Sequence, residues 1–307
     1  MHRSETAAFI NKKGGVGKTT SVVNVGAGLT ILGKRVLLVD LDPQGHLTGF
    51  IGIGDDEIKR TSYDLLRGES DAAEAIITRP LRARFRSNGS DSQLYLSVIP
   101  ARGDLADAEM VLANAIDREF LLRNALESVM NDYDYILFDC PPNLGLISVN
   151  ALAASGKVFI PVQTEHLALK SLESLIEEIE MVMSKINNQL VIGGIIATRY
   201  DGRKVLNREV VRTLREEYGV LLMDTLIREN IALAESPGFG KDIFSYRPRS
   251  YGMEDYLNLS LEILGKDADA GSLFSVKRGV ITEKPPVPAF SGSDHYWLQR
   301  AGDNLQR

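Results

Sequence analysis

Hydrophobic and polar positions along the chain fall into two alternating patterns. Short apolar-rich runs recur at Ala7 to Ile10, Arg35 to Leu41, Leu94 to Ile99, Tyr135 to Phe138, Val158 to Val162, Leu190 to Ala197 and Leu222 to Ile227. Several of them, such as Val36 to Val39, are continuous rather than alternating, which is the pattern of strands buried on both faces. Stretches of helical spacing lie between them. From Thr19 to Leu32 the positions Val22, Val23, Val25, Leu29 and Leu32 fit one face, and Gly33 follows as a stop. Further helices are predicted at Leu105 to Ala113, Ile116 to Met130, Leu167 to Ile186, Leu206 to Tyr218 and about Gly252 to Leu264, with short ones at Thr61 to Leu66 and Ala72 to Ile77. Strands alternating with helices this regularly predict an α/β fold, a mostly parallel twisted sheet with helices on both faces.

The regular pattern ends near Gly265. Residues 266–307 carry Lys284-Pro285-Pro286-Val287-Pro288, scattered glycine and serine, and isolated aromatics at Tyr296 and Trp297. That composition predicts an extended, poorly ordered tail, too polar and proline-rich for an amphipathic membrane helix. Residues 1–265 are therefore read as one domain. A second polar segment, Ser87 to Ser92, follows the basic run Arg79, Arg82, Arg84 and Arg86, which is read as a solvated loop.

Composition narrows the function classes. With 307 residues, 44% hydrophobic and 25% charged, the chain can bury a sizeable core. No apolar run approaches the ~18 residues of a membrane span. The single cysteine, Cys140, excludes an intrachain disulfide framework and any Cys-x-x-Cys metal site. No apolar leader precedes the first strand, so a cytoplasmic protein is expected. Net charge is -6, so any nucleic-acid binding must come from a local basic patch.

The chemistry begins at Lys12-Lys13-Gly14-Gly15-Val16-Gly17-Lys18-Thr19-Thr20, a glycine turn between a strand and a helix. Glycines let successive backbone N–H groups converge on an anion, and the helix start adds positive dipole there. Gly14 to Thr20 thus form a phosphate cradle for ATP, with Lys18 reaching the β- and γ-phosphates and Thr19 ligating Mg²⁺. Two apolar strands then end in carboxylates. One runs into Asp40-Leu41-Asp42-Pro43-Gln44-Gly45, the other into Asp139-Cys140-Pro141-Pro142. Carboxyl ends of parallel strands are where open α/β sheets bind ligands. Asp139 is placed to hold Mg²⁺ through a water, completing a pair with Thr19. Cys140 reads as a small packed residue, because no histidine lies nearby to activate it.

The usual phosphate-loop pattern has glycine at the position of Lys12. Lysine at 13 instead gives Lys-Gly-Gly-x-Gly-Lys-Thr, the deviant Walker A form, and the stretch resembles the ParA/MinD family of ATPases. The resemblance covers nearly the whole chain to about Gly265. It extends through Asp-x-Asp-Pro-Gln-Gly, the family's switch I, and Asp-Cys-Pro-Pro, although Asn143 stands where many relatives have serine. It implies a homodimer with ATP sandwiched between subunits, in which Lys13 reaches the partner's nucleotide. It also implies that Asp42 positions the attacking water and supports the Mg²⁺ shell, while Asp40 braces the phosphate-loop side.

Surface features choose among relatives. One cysteine cannot supply the pair that iron–sulfur carriers use, and the tail lacks a MinD-type membrane anchor, so no membrane partner is expected. ParA-type proteins remain. Their resemblance implies non-specific DNA binding by the ATP dimer, stimulation by a ParB-type partner and a nucleoid-associated location. Arg203 in Asp201-Gly202-Arg203 matches a DNA-contacting family position. Arg208, Arg212 and Arg215 recur at i, i+4 and i+7, one stripe of a helix, and Lys204 lies beside them. Glu229 and Ala232 depart from positions that are often basic in DNA-binding relatives. The phosphate loop starts within a dozen residues, so no operator-binding helix-turn-helix domain and no sequence-specific repressor function is expected. Other readings are a ParA-like ATPase positioning a protein cargo on the nucleoid, or a MinD-like membrane or scaffold ATPase that binds no DNA.

Overall fold

The seven strands of the sheet are β1 (Glu5–Phe9), β2 (Val36–Asp40), β3 (Ile77–Leu81), β4 (Leu94–Ile99), β5 (Tyr135–Asp139), β6 (Lys157–Gln163) and β7 (Val191–Thr198). Their order across the sheet is β3-β4-β2-β5-β1-β6-β7. Every pairing is parallel except β3 with β4. This computed structural model describes residues 4–81, 93–165 and 168–265, all within one compact unit, Met1–Leu273. The expectations for Arg82, Arg84, Arg86, the loop at 87–92 and the tail at 266–307 lie outside the described residues.

Long helices flank the strands: α1 (Lys18–Ile31) follows the phosphate loop, and α2 (His46–Phe50), α3 (Ser62–Leu66) and α4 (Ala72–Ala75) follow β2. Between β4 and β5 stand α5 (Ala108–Val111) and α6 (Leu121–Ala125). Then α7 (Leu146–Ala153), α8 (Ala168–Lys185) and α9 (Val205–Tyr218) cross between or after later strands. The described residues close with α10 (Ile231–Glu235), α11 (Ile243–Tyr246) and α12 (Tyr251–Ile263).

Alternate strand residues face opposite layers, as the pleat requires. Ala8, Ile10, Leu37, Val39, Ile136 and Phe138 share a core with α3, α6, α7, α8 and α9. On the other side Leu38 meets α1 at Gly26, where a Cβ would come within 2.7 Å of it. Two residues on, a Cβ at Gly28 would sit 2.2 Å from Ser260 Oγ, so glycine is what lets α12 lie directly on α1. Ser21 and Tyr256 hydroxyls meet at 3.2 Å across the same seam. Consequently α1 is buried nearly all round, not along the single face its spacing suggested.

Three expectations are corrected. Leu222 to Ile227 is not a strand; only isolated bridges join Leu222 to Ile195 and Arg228 to Tyr200. The cause is Glu262 of α12, whose carboxylate accepts the N–H groups of Asp224 and Thr225 at 2.6 and 3.0 Å and withdraws them from the sheet. The helix expected at Ile116 to Met130 starts only at Leu121, because Asp117 takes a left-handed φ of 52°. Similarly, the helix expected at Ala72 to Ile77 stops at Ala75, and Ile77 opens the antiparallel edge strand β3. Pro80 fits there because an edge strand can spare a ladder donor.

Candidate active site

The carboxyl ends of β1, β2, β5, β6 and β7 gather the candidate residues. The phosphate loop leaves β1 through Asn11, whose side chain pins the turn at both ends. Its Nδ2 donates to Pro161 O at 2.7 Å, and its Oδ1 accepts the Lys13 N–H at 2.9 Å. Gly15 and Gly17 take φ of 75° and 92°, values that L side chains rarely adopt. No atom lies within 4 Å of where a Cβ on Gly14 or Gly15 would stand, so the loop presents bare backbone on its open side. Val16, Thr19 and Thr20 carry the loop into α1, with Val16 buried and both threonines half-buried.

Lys18 is buried, and its Nζ lies 3.5 Å from the Lys13 carbonyl. Burial lowers its pKa, opposed chiefly by the carboxylate of Asp139 and also by that of Asp42. Asp139 stands beside both Phe9 and Asp40 in the parallel register. It is fully buried, and neither carboxylate oxygen meets a donor in full hydrogen-bond geometry, the Thr19 hydroxyl lying near but not aligned. Burial, and then the neighbouring Asp40, hold its pKa well above the ordinary carboxylate value, while the Thr19 hydroxyl and Lys18 pull the other way. A buried carboxylate without donors is costly. A hydrated cation between Asp139 and Thr19 would relieve that cost, so this donor set fits Mg²⁺.

Asp40 behaves differently from expectation. Its carboxylate accepts the Thr48 N–H at 2.9 Å, the Thr48 hydroxyl at 2.7 Å and the Asp42 N–H at 3.1 Å. It therefore braces the switch segment on its own side, not the phosphate loop, and burial pushes its pKa up to about 6. Asp42 is buried at the mouth, and its Oδ1 accepts the Gln44 N–H at 3.0 Å, an Asx turn that fixes the segment. Cys140 is fully buried in the core, and burial raises its thiol pKa. It is a packed residue, as its sequence context predicts.

Lys13 is exposed, with its Nζ 2.6 Å from Glu165 Oε2 just beyond β6. Lys12 pairs with Glu178 of α8. Sequence reasoning missed Asn11 and Glu165, and it missed the bracing role of Thr198, whose Oγ1 donates to the Val16 carbonyl at 2.8 Å. The available signal was position: each is a polar residue at or just past the carboxyl end of an apolar strand.

The five basic candidates also lie together. In α9, Val210 and Leu214 are buried, while Arg208, Arg212 and Arg215 are exposed. Arg203 is 92% exposed, and its Nε and Nη2 each lie 3.0 Å from the Asp201 carboxylate. That bonding holds the Asp201 pKa down at about 2. Lys204 pairs with Glu229 at 2.7 Å, Arg212 with Glu209 at 2.7 Å and Arg215 with Asp224 at 3.2 Å. Arg208 donates to the Gly202 carbonyl at 2.7 Å. The stripe is thus interleaved with acids, three of which, Asp201, Asp224 and Glu229, come from outside the helix.

A glycine-rich turn between β1 and α1, with carboxylates ending the two neighbouring strands, defines a P-loop ATPase. Residues 4–192 match a family model described as an AAA domain. The sporulation initiation inhibitor protein Soj of Bacillus subtilis is 43% identical over 256 residues, covering 83% of this chain and 96% of that protein. The chromosome-partitioning ATPase Soj of Treponema pallidum is 40% identical over 263 residues, covering 86% and 98%. Among solved structures, cobyrinic acid a,c-diamide synthase from Mycobacterium smegmatis with bound ATP analog and magnesium has a TM-score of 0.71 and 31% identity, covering 85% of this chain and 94% of that one. The chain belongs to the ParA-type, Soj-like partition ATPases.

Proposed function

We propose that the chain is an ATP-switched DNA-partitioning ATPase. ATP sits on Gly14 to Thr20, with Mg²⁺ held by Thr19 and Asp139 and its shell supported by Asp42. The cation, when bound, neutralises charge on the β- and γ-phosphates. Lys18 binds those phosphates, and Asp42 orients the attacking water. Lys13 leaves Glu165 to reach the nucleotide of a second copy, giving an ATP-sandwich homodimer. The bound magnesium and ATP analog of the mycobacterial synthase support the nucleotide assignment. Partition is favoured over amide synthesis because the Soj relatives are 40 to 43% identical and the synthase 31%.

The observation that carries the DNA reading is the row of exposed cations, Arg203, Lys204, Arg208, Arg212 and Arg215, directly after the strand that braces the phosphate loop. Solvent-exposed ion pairs hold their partners weakly. Duplex phosphates can therefore draw these cations from their acids, and affinity falls steeply with salt. A ParB-type protein stimulates hydrolysis and releases the DNA, and the protein works on the nucleoid in the cytoplasm.

The test is binding of a random-sequence duplex with ATP, with ADP and without nucleotide, for wild type and Arg203→Ala at two salt concentrations. Binding that needs ATP, weakens with salt and drops in the variant is the expected result. Equal binding in all nucleotide states, or none in any, would overturn the reading.

A further inference from the structure

A continuous buried hydrogen-bond path runs from the phosphate loop to the basic turn. At one end the Thr198 hydroxyl holds the Val16 carbonyl at 2.8 Å, and the Thr198 methyl lies under Gly17, 3.8 Å from where a Cβ would be. The Thr164 N–H donates to the Thr198 carbonyl at 3.2 Å, and its hydroxyl to the Arg199 carbonyl at 3.3 Å. Asn207 Nδ2 then donates to the Thr164 carbonyl at 2.6 Å, while its Oδ1 accepts the Asp201 N–H at 2.9 Å. Asp201 in turn accepts the N–H and Nε of Arg203, both at 3.0 Å. Val16, Thr164, Thr198 and Asn207 are each at most 7% exposed.

Two features make this more than adjacency. In a trans peptide the carbonyl and the following N–H point in opposite directions. Anchoring the Val16 carbonyl on Thr198 therefore aims the Gly17 N–H away from Thr198, and an anion bonding that N–H polarises the peptide that Thr198 holds. The second feature is Arg199, a non-glycine residue at φ 52°, between Thr198 and the turn. Such a conformation is strained and persists only where its surroundings enforce it. Here the enforcing contacts are those of Thr164 and the parallel bridge from Tyr200 to Arg228.

We infer that Thr198, Thr164 and Asn207 are positioning residues that couple the phosphate-loop backbone to the Asp201–Arg208 turn. They touch neither phosphate nor duplex directly. Their role is to make the position of Arg203 depend on what the loop holds. The coupling deepens the DNA-partitioning reading and rests on it for its purpose, but not for its physical test.

That test is hydrogen–deuterium exchange of the full chain with and without a non-hydrolysable ATP analogue and Mg²⁺. In wild type, exchange slows in the phosphate loop and also, by about tenfold, in residues 199–209. Asn207→Ala retains the loop's response and loses that of the turn. Thr198→Val, nearly isosteric, also loses the turn's response, and Thr198→Ser, which keeps the hydroxyl, restores it. A rescue by serine is not expected of a residue that merely fills space. A turn that fails to respond in wild type, or responds equally in Asn207→Ala and Thr198→Val, would overturn the coupling. Random-duplex titrations of the same proteins separate the two readings. If wild type binds no duplex while the exchange pattern holds, the DNA reading falls and the coupling stands. If wild type binds duplex only with ATP and Asn207→Ala binds it equally with ATP and ADP, both stand.

Discussion

The nucleotide end and the basic face of this molecule are built on opposite principles. At the nucleotide end, Lys18, Asp40, Asp42 and Asp139 are all buried, and strand register sets Asp40 beside Asp139. Each charge there is placed where water cannot dilute it, so a single substitution changes the chemistry outright. On the basic face the cations are exposed, and Arg203, Lys204, Arg212 and Arg215 already have an acidic neighbour. No single pair decides the outcome there, and the surface acts by balance. Depth gives the first region its sharpness; exposure gives the second its sensitivity to salt.

The largest effect expected from this contrast is Lys18→Ala, which should lower ATP turnover by about 100- to 1000-fold in a phosphate-release assay. Turnover within tenfold of wild type would show that burial is not what gives the site its power. Next, Lys13→Ala should still bind ATP yet neither dimerise on it nor hydrolyse it. Normal ATP-dependent dimers in light scattering would remove the sandwich arrangement. Asp42→Ala should instead trap the ATP dimer, and wild-type turnover in it would deprive Asp42 of its catalytic role.

On the exposed side effects shrink. Glu229→Gln frees Lys204 and should strengthen random-duplex binding about threefold at low salt, with the gain vanishing at high salt. An unchanged affinity at both salts would place Lys204 outside the DNA path.

The smallest effect concerns stability. Burial raises the folded-state pKa of Asp242 above its usual value, despite its hydrogen bonds from Ser245. A carboxyl with a raised folded pKa favours folding most below the ordinary carboxylate range, and that contribution is lost as pH rises through the folded value. Asp242→Asn can still cap the Ser245 N–H. As pH rises from 4 to 7 its unfolding free energy, measured by denaturant titration, should fall less than that of wild type.

The nucleotide end was largely legible in the sequence because its determinants are local. Val36 to Val39 and Tyr135 to Phe138 are continuous apolar runs that can only be buried strands, and Asp40 and Asp139 end them. Glycine spacing did the rest for the loop. What escaped depended on partners distant in the chain. Glu262 claims the N–H groups of Asp224 and Thr225 from 38 and 37 residues away, turning an apparent strand into an extended linker. The role of Asp40 turned on Thr48, and its direction could not be read from the strand alone. Likewise the arginine stripe was visible by its period and Glu229 by its sign, but the pairing of Glu229 with Lys204 and of Asp224 with Arg215, which tempers the stripe, was not. Helix α7 went unread because Leu146–Ala153 directly follows the Pro-Pro turn with little polar contrast to mark it.

The seam between α1 and α12 also bears on how the protein is made. Tyr256 meets Ser21 across 235 residues, and Ser260 fills the space that Gly28 leaves. At roughly 5 to 20 residues per second of synthesis, the helix behind the phosphate loop waits about 10 to 50 s for its cover. Throughout that interval its apolar flank stands open on the ribosome. A nascent chain of this protein is thus expected to be a chaperone client until α12 emerges, and to gain affinity for nucleotide only then.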